Sequence, residues 1–436
     1  MDEKSPVSVF WFRRDLRIDD NAGLYHALKG SLPVLPIFIF DKEILNQLQD
    51  KDDPRVTFIY KTIKELDSNL RKHGSNLLVI YDKPADAWRK LLIDYNIKAV
   101  YSNHDYEPYA QQRDNETAVF LSKRNIAFKT YKDQVIFERN EVIKEDGSPY
   151  TIYTPYNRKW YQTLTPFYLK SYPNKRYFKN LLKTKPFDIP SLEQIGFKKN
   201  GLRFPAIHYK DVIPEYQKKR DFPAIEGTTR IGLHLRFGTV SIRELARTAN
   251  AFNEKTWLNE LIWREFYMMV LHHFPKTQDH AFKPQYDHIK WINNEDHFMA
   301  WCNGQTGYPL VDAGMRELNA TGYMHNRVRM VTASFLSKDL LIDWRWGERY
   351  FERKLLDYEM ASNVGGWQWA AGCGTDAAPY FRIFNPNAQL EKFDPQLTYV
   401  KKWVPEYADF SKYPQPIVDH KFARERCLKV FKAAFN

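Results

Sequence analysis

The first third of the chain alternates between two patterns, and that alternation restricts the folds open to it. Continuous apolar, β-rich runs occur at 7–12 (VSVFWF), 32–40 (LPVLPIFIF), 76–81 (NLLVIY), 98–102 (KAVYS) and 126–131 (IAFKTY). Helix-like stretches separate them at 21–30, 55–73, 85–95 and 109–125. Runs that are apolar at nearly every position fit strands buried on both faces. Strand and helix in alternation give βαβ units, hence a parallel, Rossmann-like sheet with helices on both faces. The turn after the first run reads WFRRDLRIDDNAG and contains no GxGxxG, so the standard dinucleotide fingerprint is absent.

Beyond residue 131 the pattern changes twice. Segments such as SPYTIYTPYNRKW and SYPNKRYFKN are rich in Pro, Tyr and Lys and show no clear period, so 132–204 reads as a long, partly ordered connector. From 205 to 436 helical periodicity dominates, at 241–252, 257–273, 295–303, 310–320, 324–342, 345–356 and 420–435. A chain of 436 residues is too long for one ordinary core. We therefore expect an α/β domain over 1–131, the connector, and an all-α domain over 205–436.

Composition narrows the function. The chain holds 12 Trp, 27 Tyr and 29 Phe, an aromatic share of 16%, which suits either heavy core packing or a planar ligand. Its formal net charge of +12 points to a polyanionic partner, usually nucleic acid. Three cysteines, Cys302, Cys373 and Cys427, are too few and too scattered for a disulfide framework or a zinc site, and they fit a reducing compartment. The start, MDEKSPVSVF, has no apolar h-region after a basic stretch. No apolar run approaches the roughly 18 residues of a membrane span. The expected location is the cytoplasm, with nucleoid association when DNA is bound, and the expected state is a monomer.

Four stretches carry candidate chemistry. In TWLNELIWREFYMMVLHHF, Trp257, Glu260 and Trp263 share one helical face with Arg264, which is either a pocket with one polar handle or a core face with Glu260 paired to Arg264. In TGYMHNRVRMVTASFLSKDLLIDW, Asn326, Arg329 and Met330 share a face while Arg327 points elsewhere; an amide beside a soft thioether suits a flat heterocycle. In EGTTRIGLHLRFG, two threonines and a glycine precede a helix-like run, as in a phosphate cradle or a plain N-cap. The fourth, ASNVGGWQWAAGCGTDAAPYFRIFNP (361–386), has one acid and one base in 26 residues. Gly365 and Gly366 there would let backbone approach a flat ligand, beside the uncharged amide of Asn363. Trp367 and Trp369, two apart, would face different ways on a helix.

Together these segments resemble one family. NELIWREFY, TGYPLVDAGMRELNATGYMHNRVRM, LIDWRWGERYF, NVGGWQWAAGCGTDAAPYFRIFNP and the N-terminal FWFRRDLRIDDNAGL look like the photolyase and cryptochrome flavoproteins, in order and across almost the whole chain. The resemblance implies an N-terminal antenna domain and a helical domain holding a folded FAD. Tyr216, Thr228, Thr229, Arg230, Ile231, Gly232 and Trp257 would line its phosphate and ribose side. Arg329 and Asp357 would pair beside the flavin ring, with Tyr358 and Glu359 adjacent, and Asn363 would face flavin N5. Gly232 stands where a serine is usual and Glu359 where an aspartate is usual. Losing the serine hydroxyl implies a weaker phosphate contact rather than loss of FAD. Trp367, Trp344 and Trp291 resemble an electron-transfer chain.

HNRVRM matches the class I enzymes acting on cyclobutane pyrimidine dimers; (6-4)-specific relatives carry histidines at positions 326 and 330. By resemblance, Glu260 and Asn326 would hydrogen-bond a flipped dimer, and Met330, Trp263 and Trp369 would pack on its rings. Arg220, Arg327, Arg382, Gln389 and Lys392 match positions that contact DNA. The implied reaction is light-driven dimer splitting by an electron from excited FADH⁻, with no metal. A second antenna chromophore is expected to be deazaflavin-like rather than folate, because Tyr109 and Ala110 stand where folate-using relatives place Asn and Glu; another flavin, or an empty site, is the alternative. Two other readings are a cryptochrome-type photoreceptor without repair and a basic nucleic-acid-binding protein whose aromatics only pack its core. The end at FKAAFN and the presence of Asn363 favour repair over signalling.

Overall fold

A computed structural model describes residues 4–409 and 411–434. The chain forms two compact units. The first comprises Met1–Glu138, Leu164–Ile207 and Ile231–Thr248, and the second Arg139–Thr163, His208–Arg230 and Ala249–Asn436.

The first unit is built on a five-stranded, all-parallel sheet of order β3-β2-β1-β4-β5. Its strands are β1 (Pro6–Phe12), β2 (Val34–Asp41), β3 (Leu78–Asp82), β4 (Asn96–Asn103) and β5 (Ala127–Tyr131). All five expected strands form, within a few residues of the apolar runs. Interior strand β2 is buried at every position, while edge strand β5 is only partly covered. A strand with one neighbour leaves one side open, so KTY in β5 tolerates polar side chains. The intervening helices are Ala22–Leu28, Pro54–Arg71, Pro84–Asp94 and Pro108–Ser122. Three of them open on proline, which needs no N–H bond in the first turn. Trp11 and Trp88 meet edge-to-face at 5.5 Å in the core, among Val9, Leu35, Ile37 and Val100.

The second unit is helical. Its core gathers Trp301, Met315, Val328, Phe335, Leu336, Trp344, Phe351, Trp367 and Phe431. Two expectations need correction here. The run at 324–342 is not one α-helix. It is α-helical over Asn326–Ser334 and continues as a π-turn over Phe335–Asp339, where Leu340 N–H reaches back to the Phe335 carbonyl at 2.9 Å. The stretch 132–204 also contains a regular helix, Tyr153–Thr163. Its buried residues are Tyr153, Tyr156 and Trp160, an i, i+3, i+7 stripe masked by the polar residues between them. This helix packs on the Lys255–His273 helix. Tyr153 stacks on Trp263 at 3.6 Å and 6°, and the Trp160 indole N–H donates to Glu265 at 2.6 Å.

Candidate functional site

Two helices of the second unit present matching stripes. Glu260, Trp263, Arg264 and Tyr267 lie on Lys255–His273, and Asn326, Arg329, Met330 and Ala333 on Asn326–Ser334. Both sets follow i, i+3, i+4, i+7, the spacing of one helical face. The Met360–Ala371 helix adds Ser362, Asn363, Gly366, Trp367 and Trp369, and the segment before it adds Asp357, Tyr358 and Glu359. With Arg220, Phe351 and Leu355 they enclose a cavity of about 410 Å³. Clefts for small ligands span roughly 300–1,000 Å³.

Three guanidinium–carboxylate pairs border this cavity. Glu260 pairs with Arg220, not with Arg264 as the helical spacing also allowed. Arg264 reaches Glu359 at 3.0 Å instead, so Glu260 and Arg264 both find partners off their own helix rather than in each other. Arg329 donates to both oxygens of Asp357, at 3.1 and 3.0 Å, and its Nε holds the Met324 carbonyl at 2.7 Å. Burial pushes the Glu260 carboxyl up, and the Arg220 charge draws it back down.

Asn363 lines the same cavity. Its amide nitrogen donates to the Glu348 carboxylate at 2.9 Å and to the Glu348 backbone oxygen at 3.1 Å. That leaves the amide oxygen as the group Asn363 can offer to a ligand. Burial pushes the Glu348 carboxyl up to about 7 against the opposing pull of the Asn363 bond. Glu348 carries no local sequence signal, because it meets Asn363 only through the packing of two helices.

The tryptophans divide. Trp367 is buried and borders the cavity; its ring meets Phe351 at 5.0 Å and Trp301 at 6.0 Å. It sits over Gly347, where a Cβ would lie 2.1 Å from the indole. Trp344 is buried at the start of Trp344–Lys354, with the Arg345 guanidinium 4.9 Å from its ring centre. Trp291 is partly buried, edge-on to Phe431 at 5.9 Å. Trp263 and Trp369 both line the cavity. The two glycines have separate jobs. A Cβ on Gly366 meets nothing within 4 Å, so this glycine borders open space as expected. A Cβ on Gly365 would lie 2.2 Å from the Tyr267 ring, so Gly365 serves helix packing and not ligand approach.

Of the residues expected on a phosphate side, Thr228 and Arg230 meet at Tyr323, which carries no signal of its own in the sequence. Thr228 Oγ1 and the Tyr323 hydroxyl are 3.1 Å apart, and the Arg230 and Arg329 guanidiniums lie 4.6 and 5.9 Å from the Tyr323 ring centre. Arg230 adopts a left-handed backbone, φ +49°. Tyr216 is buried beneath Arg220, Trp257 is buried beside Tyr209, and Thr229 is half-buried. The threonines do not cap a helix. The short Gly232–Phe237 helix begins after Ile231, whose side chain caps nothing.

Of the expected DNA contacts, Arg220 is held by Glu260 on the cavity wall. Arg327 pairs with Asp221 at 2.8 Å and lies over the Phe393 ring, as does Lys392. Arg382 is exposed, and Gln389 is half-buried on the Pro386–Phe393 helix. Among the described residues, no cluster of three or more His, Cys, Asp or Glu side chains could hold a metal. No helix among them is long and apolar enough to cross a membrane. All three cysteines are buried and free.

The chain thus carries a parallel α/β unit and a helical unit with a charged, aromatic cavity, and the comparisons place that combination among flavin-binding proteins. Residues 8–175 match the family model for DNA photolyase, and residues 257–412 the model for the FAD binding domain of DNA photolyase. The deoxyribodipyrimidine photo-lyase of Alkalihalophilus pseudofirmus is 36% identical over 99% of both chains. The crystal structure of a bacterial class III photolyase from Agrobacterium tumefaciens superposes with a TM-score of 0.87, at 30% identity, covering 100% of this chain and 99% of that one. An archaeal photolyase from Sulfolobus tokodaii, solved with two FAD molecules, gives 0.83 at 32% identity, covering 98% of this chain and all of that one. The chain belongs to the DNA photolyase family.

Proposed function

We propose that the chain is a deoxyribodipyrimidine photo-lyase, which splits cyclobutane pyrimidine dimers in ultraviolet-damaged DNA under blue light. The observation that carries this reading is the single cavity that joins Glu260, Asn326 and Met330 to Asn363 and the Arg329–Asp357 pair. The donor set suits the flavin ring of FAD: an amide oxygen at Asn363, a paired guanidinium at Arg329, and open space over Gly366. When bound, FAD supplies a donor that gives up one electron on excitation.

The chain's own residues bind, orient and shield. Arg329, Asp357 and Asn363 hold the flavin ring; Tyr216, Thr228, Thr229, Arg230, Ile231, Gly232 and Trp257 hold the remainder. Asn326 offers both donor and acceptor to a pyrimidine edge. Glu260, whose burial favours the protonated carboxyl, donates to a pyrimidine carbonyl oxygen and stabilises negative charge there. Trp263, Trp369 and Met330 pack on the bases and keep water out. We assign Trp367, on the cavity wall, to pass an electron into the cavity, with Trp344 and Trp291 supplying it in turn. Arg327, Arg382, Gln389 and Lys392 hold phosphates. For the second chromophore we propose a flavin or deazaflavin in the α/β unit. The Sulfolobus relative with two FAD molecules supports a flavin-type antenna.

The test mixes anaerobically reduced protein with ultraviolet-irradiated oligo(dT) and illuminates it with blue light. Recovery of thymine absorbance, absent in a dark control, is the expected result. FAD bound without any recovery would move the (6-4) lesion or a signalling role ahead.

A further inference from the structure

The π-turn Phe335–Asp339 buries a charge that nothing above uses. All five of its residues are buried, and Lys338, at 1% exposure, is the one buried lysine among the described residues. Lysine is almost never fully buried without a partner. Such turns interrupt helices most often at functional sites. The adjacent Asp339 turns to His420, whose Nδ1 lies 2.5 Å from its carboxylate, and the Arg426 guanidinium donates to the Asp339 backbone oxygen. The Lys338 ammonium donates elsewhere, to the backbone oxygen of Arg382 at 2.9 Å. Burial pulls the amine down to about 8, while Cys427, Cys373 and Asp339 draw it back up, so it keeps its charge at neutral pH. The hydrogen bond to Arg382 is therefore charge-assisted.

The acceptor closes a turn. Residues 372–385 join the Met360–Ala371 and Pro386–Phe393 helices without helix or strand, so no ladder of backbone bonds fixes their path. The Arg382 N–H donates to the Pro379 oxygen at 2.8 Å, the i to i+3 bond of a β-turn. Tyr380 within the turn stacks on Phe431 at 6.2 Å and 18°. Phe384, just beyond it, stacks at 6.5 Å and 29° on Trp369, a residue of the cavity wall. The turn thus lies beside the cavity with the Arg382 side chain exposed, and Lys338 holds it from inside the core.

We propose that Lys338 is a positioning residue: its ammonium fixes the Pro379–Arg382 turn in the conformation that meets ultraviolet-damaged duplex beside the cavity. This rests on the photo-lyase reading. Lys338 does not line the cavity, so it acts on the duplex only through the turn. An apolar side chain of similar length would leave the Arg382 oxygen without its donor and the turn free to move.

The test compares the FAD-loaded full chain with Lys338→Met, which removes the donor, and Lys338→Gln, which keeps an N–H donor without the charge. Dissociation constants for ultraviolet-irradiated duplex and repair yields at saturating duplex are measured together. Lys338→Met should bind the duplex about tenfold more weakly, the size of one hydrogen bond, with an unchanged yield per bound dimer. Lys338→Gln should recover affinity to within about threefold of the unaltered chain. Trypsin cleavage after Arg382, scaled to cleavage after the exposed Lys123 of the α/β unit, should rise several-fold in Lys338→Met and stay low in Lys338→Gln. Unchanged duplex affinity in Lys338→Met would overturn the assignment. So would equal losses in both variants, or loss of bound FAD from Lys338→Met, since the lysine would then hold the core and not the turn. If the unaltered chain splits no dimers in light, the photo-lyase reading fails, and the trypsin comparison, which needs no DNA, still decides whether Lys338 holds the turn.

Discussion

Both units contain guanidinium–carboxylate pairs, but they use them differently. In the α/β unit, Arg243 donates to Asp20 and to Asp133, both at 2.8 Å, and Arg17 donates to Asp133 at 2.7 Å. Asp133 accepts further from the Ala22 N–H, and Asp20 from the Ser241 hydroxyl. Burial works against the Arg243 charge, yet Asp133 and Asp20 hold it above its ordinary pKa. The network closes on itself. In the helical unit, Glu260–Arg220, Arg264–Glu359 and Arg329–Asp357 all border open space. The chemistry is the same, but the first set has no face to show a ligand and the second has little else. A buried ion pair therefore marks a binding site only where its surroundings leave room beside it.

The largest test of that contrast is Arg243→Ala. It strips Asp20 of its close guanidinium partner and leaves Asp133 with Arg17 alone, and it should cost about 3–5 kcal/mol of stability, measured by urea unfolding. Light-driven repair by the protein that remains folded should be unchanged. A loss below about 1 kcal/mol would mean that the network does not hold the α/β unit together.

Glu348 sharpens the comparison through pH. Its carboxyl is raised to about 7 in the folded chain, against an ordinary value near 4.3 unfolded. Its favourable contribution is therefore complete below the unfolded value and is lost as pH rises through about 7. Glu348→Gln, which still accepts from Asn363, should gain stability relative to the unaltered chain between pH 5 and pH 8, by up to about 3 kcal/mol. A pH-independent difference would refute the raised carboxyl.

Trp367→Phe addresses the cavity's wall. Photoreduction of oxidised flavin should slow at least tenfold, about 1.4 kcal/mol in rate terms, while chemically reduced protein repairs normally. Unchanged photoreduction would place the electron path elsewhere. The smallest effect is expected for Glu260→Ala. It should lower the repair yield several-fold with FAD still bound, and repair at full yield would remove Glu260 from its assigned role.

Much of this was legible in the sequence, for a physical reason. The β1, β2 and β4 runs are apolar because both faces are covered, so composition and period agree. The cavity stripes on Lys255–His273 and Asn326–Ser334 were visible because a helix prints its own geometry at i, i+3 and i+4. What stayed hidden depends on contacts between distant segments. Glu348 meets Asn363, and Tyr323 meets Thr228 and Arg230, only after the chain has folded. Arg264 had an equally plausible partner four residues away, and only the tertiary structure chose Glu359. Gly365 and Gly366 look alike in sequence and differ only in what stands opposite them.

Gly347 has a consequence of a different kind. It contributes no functional group, yet its missing methyl is the space in which the Trp367 ring rests. Electron tunnelling weakens exponentially with the gap between donor and acceptor. Under the role proposed for Trp367, the rate of photoactivation is then held by an atom that is not there. Chemical inertness at that position would not make it free to vary: a single added carbon could detune the protein's response to light while leaving every reactive group in place.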